Sequence, residues 1–132
     1  MKKLNIIVIL FVTFFIVKYS FAESLESVLP DLALKLQTES KAIIIDVREP
    51  IELISGKIKG AKVIPMSLMN NDRESWNKKI AEIKKDKTVI LYCHSGRRAN
   101  LVGTELSKLG FKVLNQGGYD NWKSKGLPTE KE

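Results

Sequence analysis

The chain has 132 residues, a formal net charge of +7 and one cysteine. It is long enough for one domain with one modest core. It can form no intrachain disulfide, and its lysines form no basic stripe interleaved with aromatics, which excludes a nucleic-acid-binding face.

The first residues have the layout of a secretory signal peptide. Met1-Lys2-Lys3 is a short basic start. Leu4 to Val17 is apolar apart from Asn5 and Thr13, and Ser20-Phe21-Ala22 puts small residues on the approach to a cut after Ala22. The apolar run is shorter than the ~20 residues of a membrane-spanning helix. Residues 1–22 are therefore expected to be a cleaved signal peptide and Glu23–Glu132 an exported domain, in the periplasm of a Gram-negative source. An uncleaved N-terminal anchor is the alternative. No cysteine sits at the cut, which excludes a lipoprotein. Losing Lys2, Lys3 and Lys18, and no acid, lowers the charge from +7 to +4. Spread over many lysines, that charge reads as a solvated surface.

In the mature chain, Leu25, Val28, Leu29, Leu32 and Leu36 recur at helical spacing and predict a helix over 25–36. Ala42 to Val47 is a short apolar run, the pattern of a strand buried on both faces. Glu49 to Ile54 reads as a short helix with Pro50 in its first turn and Gly56 as its stop. Gly60 to Pro65 is a second short strand. Arg73 to Lys84 is helical, with Trp76, Ile80 and Ile83 on one face. Thr88 to Tyr92 is the central strand, Ala99 to Leu109 a helix stopped by Gly110, and Phe111 to Leu114 the next strand. Gly117-Gly118 then turns into a last helix, Tyr119 to Lys125. Alternating strands and helices predict an α/β fold, a mostly parallel central sheet flanked by helices on both faces. Ligands of such sheets lie beyond the carboxyl ends of the strands.

Cys93 sits at that edge. It closes the central strand and opens the turn His94-Ser95-Gly96-Arg97-Arg98 ahead of a helix. Backbone N–H groups of such a turn converge, the helix adds its positive end, and two arginines add charge. All three favour the thiolate, which is the reactive form. The alternative is an inert core cysteine, but a side chain at this position points at the loop. His94, the sole histidine, is either a general base or a loop residue contributing its N–H. Ser95 can donate a hydrogen bond to sulfur, and Gly96 supplies a positive φ or a close backbone approach. Asp46 and Arg48 end the first strand as a supporting polar pair, either an ion pair anchoring the loop base or a catalytic one. Trp76 and Trp122 read as core anchors. No metal-spaced His/Cys/Asp cluster and no Gly-rich phosphate fingerprint occurs, so no metal and no cofactor is expected.

These pieces resemble one family. Ile45-Asp46-Val47-Arg48-Glu49, with Glu52, Gly56, Ile58, Gly60-Ala61 and Ile64-Pro65, is similar to the first signature of rhodanese-like domains. Tyr92 to Ala99 resembles their active-site loop, and Leu109-Gly110-Phe111, Gly117-Gly118, Trp122 and Gly126-Leu127-Pro128 their closing signature. The match runs from about Leu25 to Thr129 and is similar to the periplasmic phage-shock type of thiosulfate sulfurtransferase. Lys57 departs from it, standing where the family often has histidine. The resemblance implies ping-pong sulfur transfer. Cys93 takes the outer sulfur of a donor such as thiosulfate as a persulfide, then yields it to cyanide or a thiol. Arg97 and Arg98 suit a dianionic donor better than a carboxylate such as mercaptopyruvate, and Arg98 is favoured over Arg97 because it closes the loop at the helix start next to the thiolate.

Two rivals remain at the level of sequence. Cysteine-dependent phosphatases and arsenate reductases use a similar loop with five residues between cysteine and arginine, whereas Cys93 and Arg98 are separated by four. A non-catalytic persulfide carrier or redox-interaction module shares the cysteine and the intermediate. The acceptor and the oligomeric state are not legible.

Overall fold

The computed structural model describes residues 24–132, so the signal-peptide reading lies outside the described residues. β1 (Ala42–Asp46), β3 (Lys62–Val63), β4 (Thr88–Cys93) and β5 (Val113–Gly118) form a wholly parallel sheet in the order β3-β1-β4-β5. β2 (Lys57–Ile58) pairs separately and antiparallel with β6 (Thr129–Glu130). The helices are α1 (Pro30–Thr38), α2 (Met66–Asn71), α3 (Arg73–Ala81), α4 (Arg97–Lys108) and α5 (Tyr119–Ser124), with a 3-10 helix at Pro50–Ser55.

The expected α/β architecture is present. β4 is the centre, with Val89 to Cys93 all buried, because a parallel strand is covered on both faces. One face packs Trp76, Ile80, Val102 and Leu106 from α3 and α4. The other packs Ala33, Tyr119 and Trp122 from α1 and α5. Both tryptophans are core anchors, at 1% and 0% exposure, and the Trp122 indole N–H donates to the Pro128 carbonyl.

Several boundaries differ from the sequence reading. The first helix starts at Pro30, not Leu25. Proline pushes the preceding residue out of the helical region, and Leu29 is extended at ψ 145°. Residues 25–29 instead lie along the edge of β5: Val28 N–H donates to the Asn115 carbonyl and Asn115 N–H to that of Glu26. Apolar leucines at helical spacing thus arise from a segment covering a sheet edge followed by a helix. The strand expected over Phe111–Leu114 runs Val113–Gly118, so the polar residues 115–118 belong to the sheet. α2 and the two-residue strands β2 and β6 carry no periodicity long enough to read. α3 stops at Ala81 rather than Lys84.

Trp122→Ala removes a fully buried indole and is expected to cost about 3–5 kcal/mol. Urea unfolding monitored by circular dichroism measures this, and a loss below about 1 kcal/mol would remove Trp122 as a core anchor.

Candidate active site

The carboxyl edge of the sheet is built around one buried ion pair. Asp46 closes β1 with no exposure, and Arg48, two residues on, is 3% exposed. The Arg48 guanidinium donates to the Asp46 carboxylate from Nη2 at 2.6 Å and from Nε at 3.0 and 3.1 Å, and the Arg48 backbone N–H adds 2.9 Å. The Tyr92 hydroxyl donates to Oδ2 of the same carboxylate and accepts from Ile58 N–H at 3.0 Å. Burial, then the Asp46 charge, pushes the Tyr92 phenol well above its ordinary range, so it stays a donor. Burial works against the Arg48 cation, but the hydrogen bonds and charge of Asp46 outweigh it and raise its pKa. The guanidinium also lies 4.3 Å from the Tyr119 ring centre and donates to the Gly56 carbonyl at 2.8 Å. Asp46 and Arg48 therefore form an ion pair under the loop; the pair bonds Tyr92, not Cys93.

Tyr92 leads directly into Cys93, which ends β4 at 1% exposure and, contrary to the expectation of a purely loop-facing side chain, belongs to the buried core cluster with Val47 and Ala99. Its Sγ accepts the Gly96 N–H at 3.0 Å, the one hydrogen bond to this sulfur among the described residues. Gly96 reaches that position with φ +91°, a left-handed conformation that suits glycine, and it caps α4. The helix starts at Arg97, two residues earlier than the sequence suggested, so its unpaired first-turn N–H groups begin directly after the loop. His94 and Ser95 are exposed, and no hydrogen bond joins the Ser95 hydroxyl to sulfur. Gly118 backs the loop: a Cβ there would stand 2.2 Å from the His94 carbonyl oxygen. Asn115 ties the loop from the side, its Nδ2 donating to the Gly96 carbonyl at 2.9 Å and its Oδ1 accepting Gly117 N–H at 2.9 Å.

The structure divides the two arginines. Arg98 is half-buried and paired, donating from Nη1 and Nη2 to Glu52 at 2.6 and 2.7 Å. Arg97 is exposed and makes no ion pair among the described residues. Glu52 also accepts Glu49 N–H at 2.8 Å, closing a capping box on the 3-10 helix, while Glu49 accepts from Ser67 N–H at 3.1 Å and its hydroxyl at 2.7 Å. The Arg98 hydrogen bonds hold the Glu52 carboxyl down at about 2, from an ordinary 4.5, and Glu52 in turn raises Arg98. Sequence reasoning placed Glu52 in a motif but missed its contact with the loop; a capping-box spacing Glu49-x-x-Glu52 was the available signal. Asn115 was missed as well, since a lone amide after a strand announces nothing. Lys57 donates to the Ala61 carbonyl at 2.8 Å and pairs with Glu130 at 3.3 Å.

A sulfur beneath a backbone N–H and a helix start, at the carboxyl edge of a parallel sheet, is an arrangement suited to cysteine-dependent group transfer. Residues 29–125 match the model of the rhodanese-like domain, and the chain belongs to that sulfurtransferase family. A sulfurtransferase of Allochromatium vinosum is 33% identical over 99 residues, covering 74% of this chain and 86% of that protein. A putative sulfurtransferase of Bacillus subtilis is 32% identical, covering 71% of this chain and 85% of its own. The crystal structure of a rhodanese-related protein from Thermoplasma volcanium superposes with a TM-score of 0.67 at 30% identity, over 81% of this chain and 99% of that one.

The Glu52–Arg98 pair has a defined pH window. The Glu52 carboxyl is depressed when folded, so its contribution is complete above its unfolded value near 4.5 and is lost as pH falls toward about 2. Glu52→Gln is expected to unfold more easily than the unaltered chain at neutral pH, with the difference shrinking below about pH 4.5. Thermal melts at stepped pH read this, and a constant difference down to acid would contradict it. Gly118→Ala is expected to displace the His94 carbonyl and lower turnover at least tenfold, measured by steady-state kinetics beside a melting curve.

Proposed function

We propose that the protein is a thiosulfate sulfurtransferase acting through a Cys93 persulfide. The observation that carries the reading is the Gly96 N–H held at 3.0 Å from Cys93 Sγ, within a loop of four residues closed by Arg98. The Cys93 thiolate attacks the outer sulfur of thiosulfate. The S–S bond of the donor breaks, sulfite leaves with the electron pair, and the new sulfur carries the negative charge as Cys93–S–S⁻. Cyanide or a thiolate then attacks that outer sulfur and returns the electron pair to Cys93. A preorganised N–H serves both anionic sulfur states without rearrangement. Arg97, exposed beside the loop, is the guanidinium available to the two charges of the donor. Arg98, committed to Glu52, fixes the loop end. The tight loop favours one sulfur atom over a tetrahedral phosphoryl group. The family and the sulfurtransferase relatives support the reaction class. The signal-peptide reading of residues 1–22 adds an exported location to the proposal.

Intact-mass spectrometry after thiosulfate treatment is expected to show an adduct of about 32 Da, one sulfur atom, that is absent in Cys93→Ser and discharged by cyanide as thiocyanate. No adduct sinks both the enzyme and the carrier readings; slow discharge by every acceptor favours a carrier. Hydrolysis of an aryl phosphate without thiocyanate formation would establish the phosphatase rival. Arg97→Ala is expected to raise KM for thiosulfate roughly tenfold or more, the size of a lost charged hydrogen bond. Arg97→Lys should recover part of it.

A further inference from the structure

Asn115 joins three parts of the fold at one residue. Its backbone N–H donates to the Glu26 carbonyl and its own carbonyl accepts from Val28 N–H, each at 2.9 Å, so its main chain holds the segment that covers the edge of β5. Its side chain spans from the strand to the loop. Oδ1 accepts Gly117 N–H and Nδ2 donates to the Gly96 carbonyl, again at 2.9 Å each. An N–H can be met only by an acceptor, so Gly117 fixes which end of the amide faces Gly96.

A β-bulge makes this reach possible. Leu91 pairs with Asn115 and Tyr92 with Gly117, so Gln116 is the extra residue, and bulges beside sites re-aim side chains. Strand and loop touch there: a Cβ on Gly96 would stand 3.1 Å from Gly117 Cα and 3.4 Å from Asn115 Oδ1. A leucine at position 115 would fill similar space but could bond neither Gly96 nor Gly117, so packing supplies no reason for asparagine.

Gly96 needs an outside hold. Its N–H is the one hydrogen bond to Cys93 Sγ among the described residues, and glycine restricts its own dihedrals less than any other residue. Its φ of +91° is therefore set by what grips it. Two donors grip its carbonyl: Asn100 N–H at 3.0 Å, the first helical bond of α4, and Asn115 Nδ2. The helix bond moves with α4, whereas the Asn115 bond ties Gly96 to the sheet that carries Cys93.

We propose that Asn115 is a positioning residue for sulfur transfer, holding the Gly96 N–H on the Cys93 sulfur from the bulge of β5. The proposal rests on the persulfide reading above. In that reading the negative charge lies on Sγ when the thiolate attacks the donor, and again when the acceptor takes the outer sulfur away. One N–H at Sγ serves both half-reactions, so a residue that holds this N–H acts on both. Arg97, assigned to the donor, acts on the first.

The test pairs steady-state kinetics with amide hydrogen exchange read by NMR. Asn115→Leu is expected to lower kcat/KM for thiosulfate and kcat/KM for cyanide together, each by roughly tenfold or more, the scale of a displaced catalytic group. Exchange at the Gly96 amide is expected to rise roughly tenfold, as for one weakened hydrogen bond, while the Val89, Ile90 and Leu91 amides of β4 keep their rates. Asn115→Asp keeps the acceptor for Gly117 and lacks the donor for Gly96. It is expected to show the same two losses, and it carries the test should Asn115→Leu fold poorly. Unchanged kcat/KM for both substrates, a loss confined to thiosulfate, or a Gly96 amide as protected in the variants as in the unaltered chain would overturn the proposal. So would faster exchange spread evenly over β4, the mark of a purely structural residue. Absence of the Cys93 persulfide from the unaltered protein fails the underlying reading instead, and the Gly96 exchange then still reports whether Asn115 holds the N–H.

Discussion

The Asp46 carboxylate, wholly buried where β1 ends, is the constraint on which the rest of the site depends. An ion there is tolerated only when its lone pairs are filled, and removing one partner of a buried pair costs about 3–5 kcal/mol. Arg48 and Tyr92 fill them. Each partner then carries the constraint outward. Tyr92 is the residue before Cys93, so the carboxylate sets the end of β4 from which the nucleophile projects. Arg48 also holds the Gly56 carbonyl and thereby the far end of the 3-10 helix.

The 3-10 helix passes the constraint to the loop. Glu52 is held by its own capping box and grips Arg98 with two short hydrogen bonds. The path from Asp46 through Arg48, the 3-10 helix and Glu52 to Arg98 therefore closes on both sides of Cys93 without bonding its sulfur. This arrangement fixes both ends of the loop while the Gly96 N–H stays on the Cys93 sulfur, which is how a small domain preorganises charge stabilisation. It also accounts for two adjacent arginines having different roles: one is a structural cation at a helix start, the other a solvent-facing cation.

Two glycines set how closely the loop is held. Gly96 turns the chain through a left-handed conformation to bring its N–H to sulfur, and Gly118 lets the His94 carbonyl rest directly against β5. The strand behind the loop is thus part of the site. Its edge is covered by the segment from Leu25 to Leu29, whose Leu25 N–H donates to Asn100 Oδ1 of α4. Cys93 is nearly enclosed, at 1% exposure.

The order of strands and helices, the central strand, the position of Cys93 and the loop length were legible in the chain because they are local. They rest on apolar runs, turn residues and residue counts, which need no knowledge of distant neighbours. The Asp46–Arg48 pair was legible for the same reason, as side chains close in sequence at the end of one strand, and the two tryptophans as apolar positions on their helices. What the chain alone could not decide is set by contacts across many positions. Pro30 could stand inside or at the start of a helix until β5 offered its edge to residues 25–29. Gly117-Gly118 read as a turn until β4 supplied their ladder. Position in the sequence favoured Arg98, which closes the loop at the helix start, as the site arginine; Glu52, 46 residues away, instead engages Arg98 and leaves Arg97 without an ion pair among the described residues. That choice is tertiary because a half-buried cation takes whichever carboxylate the fold brings within reach.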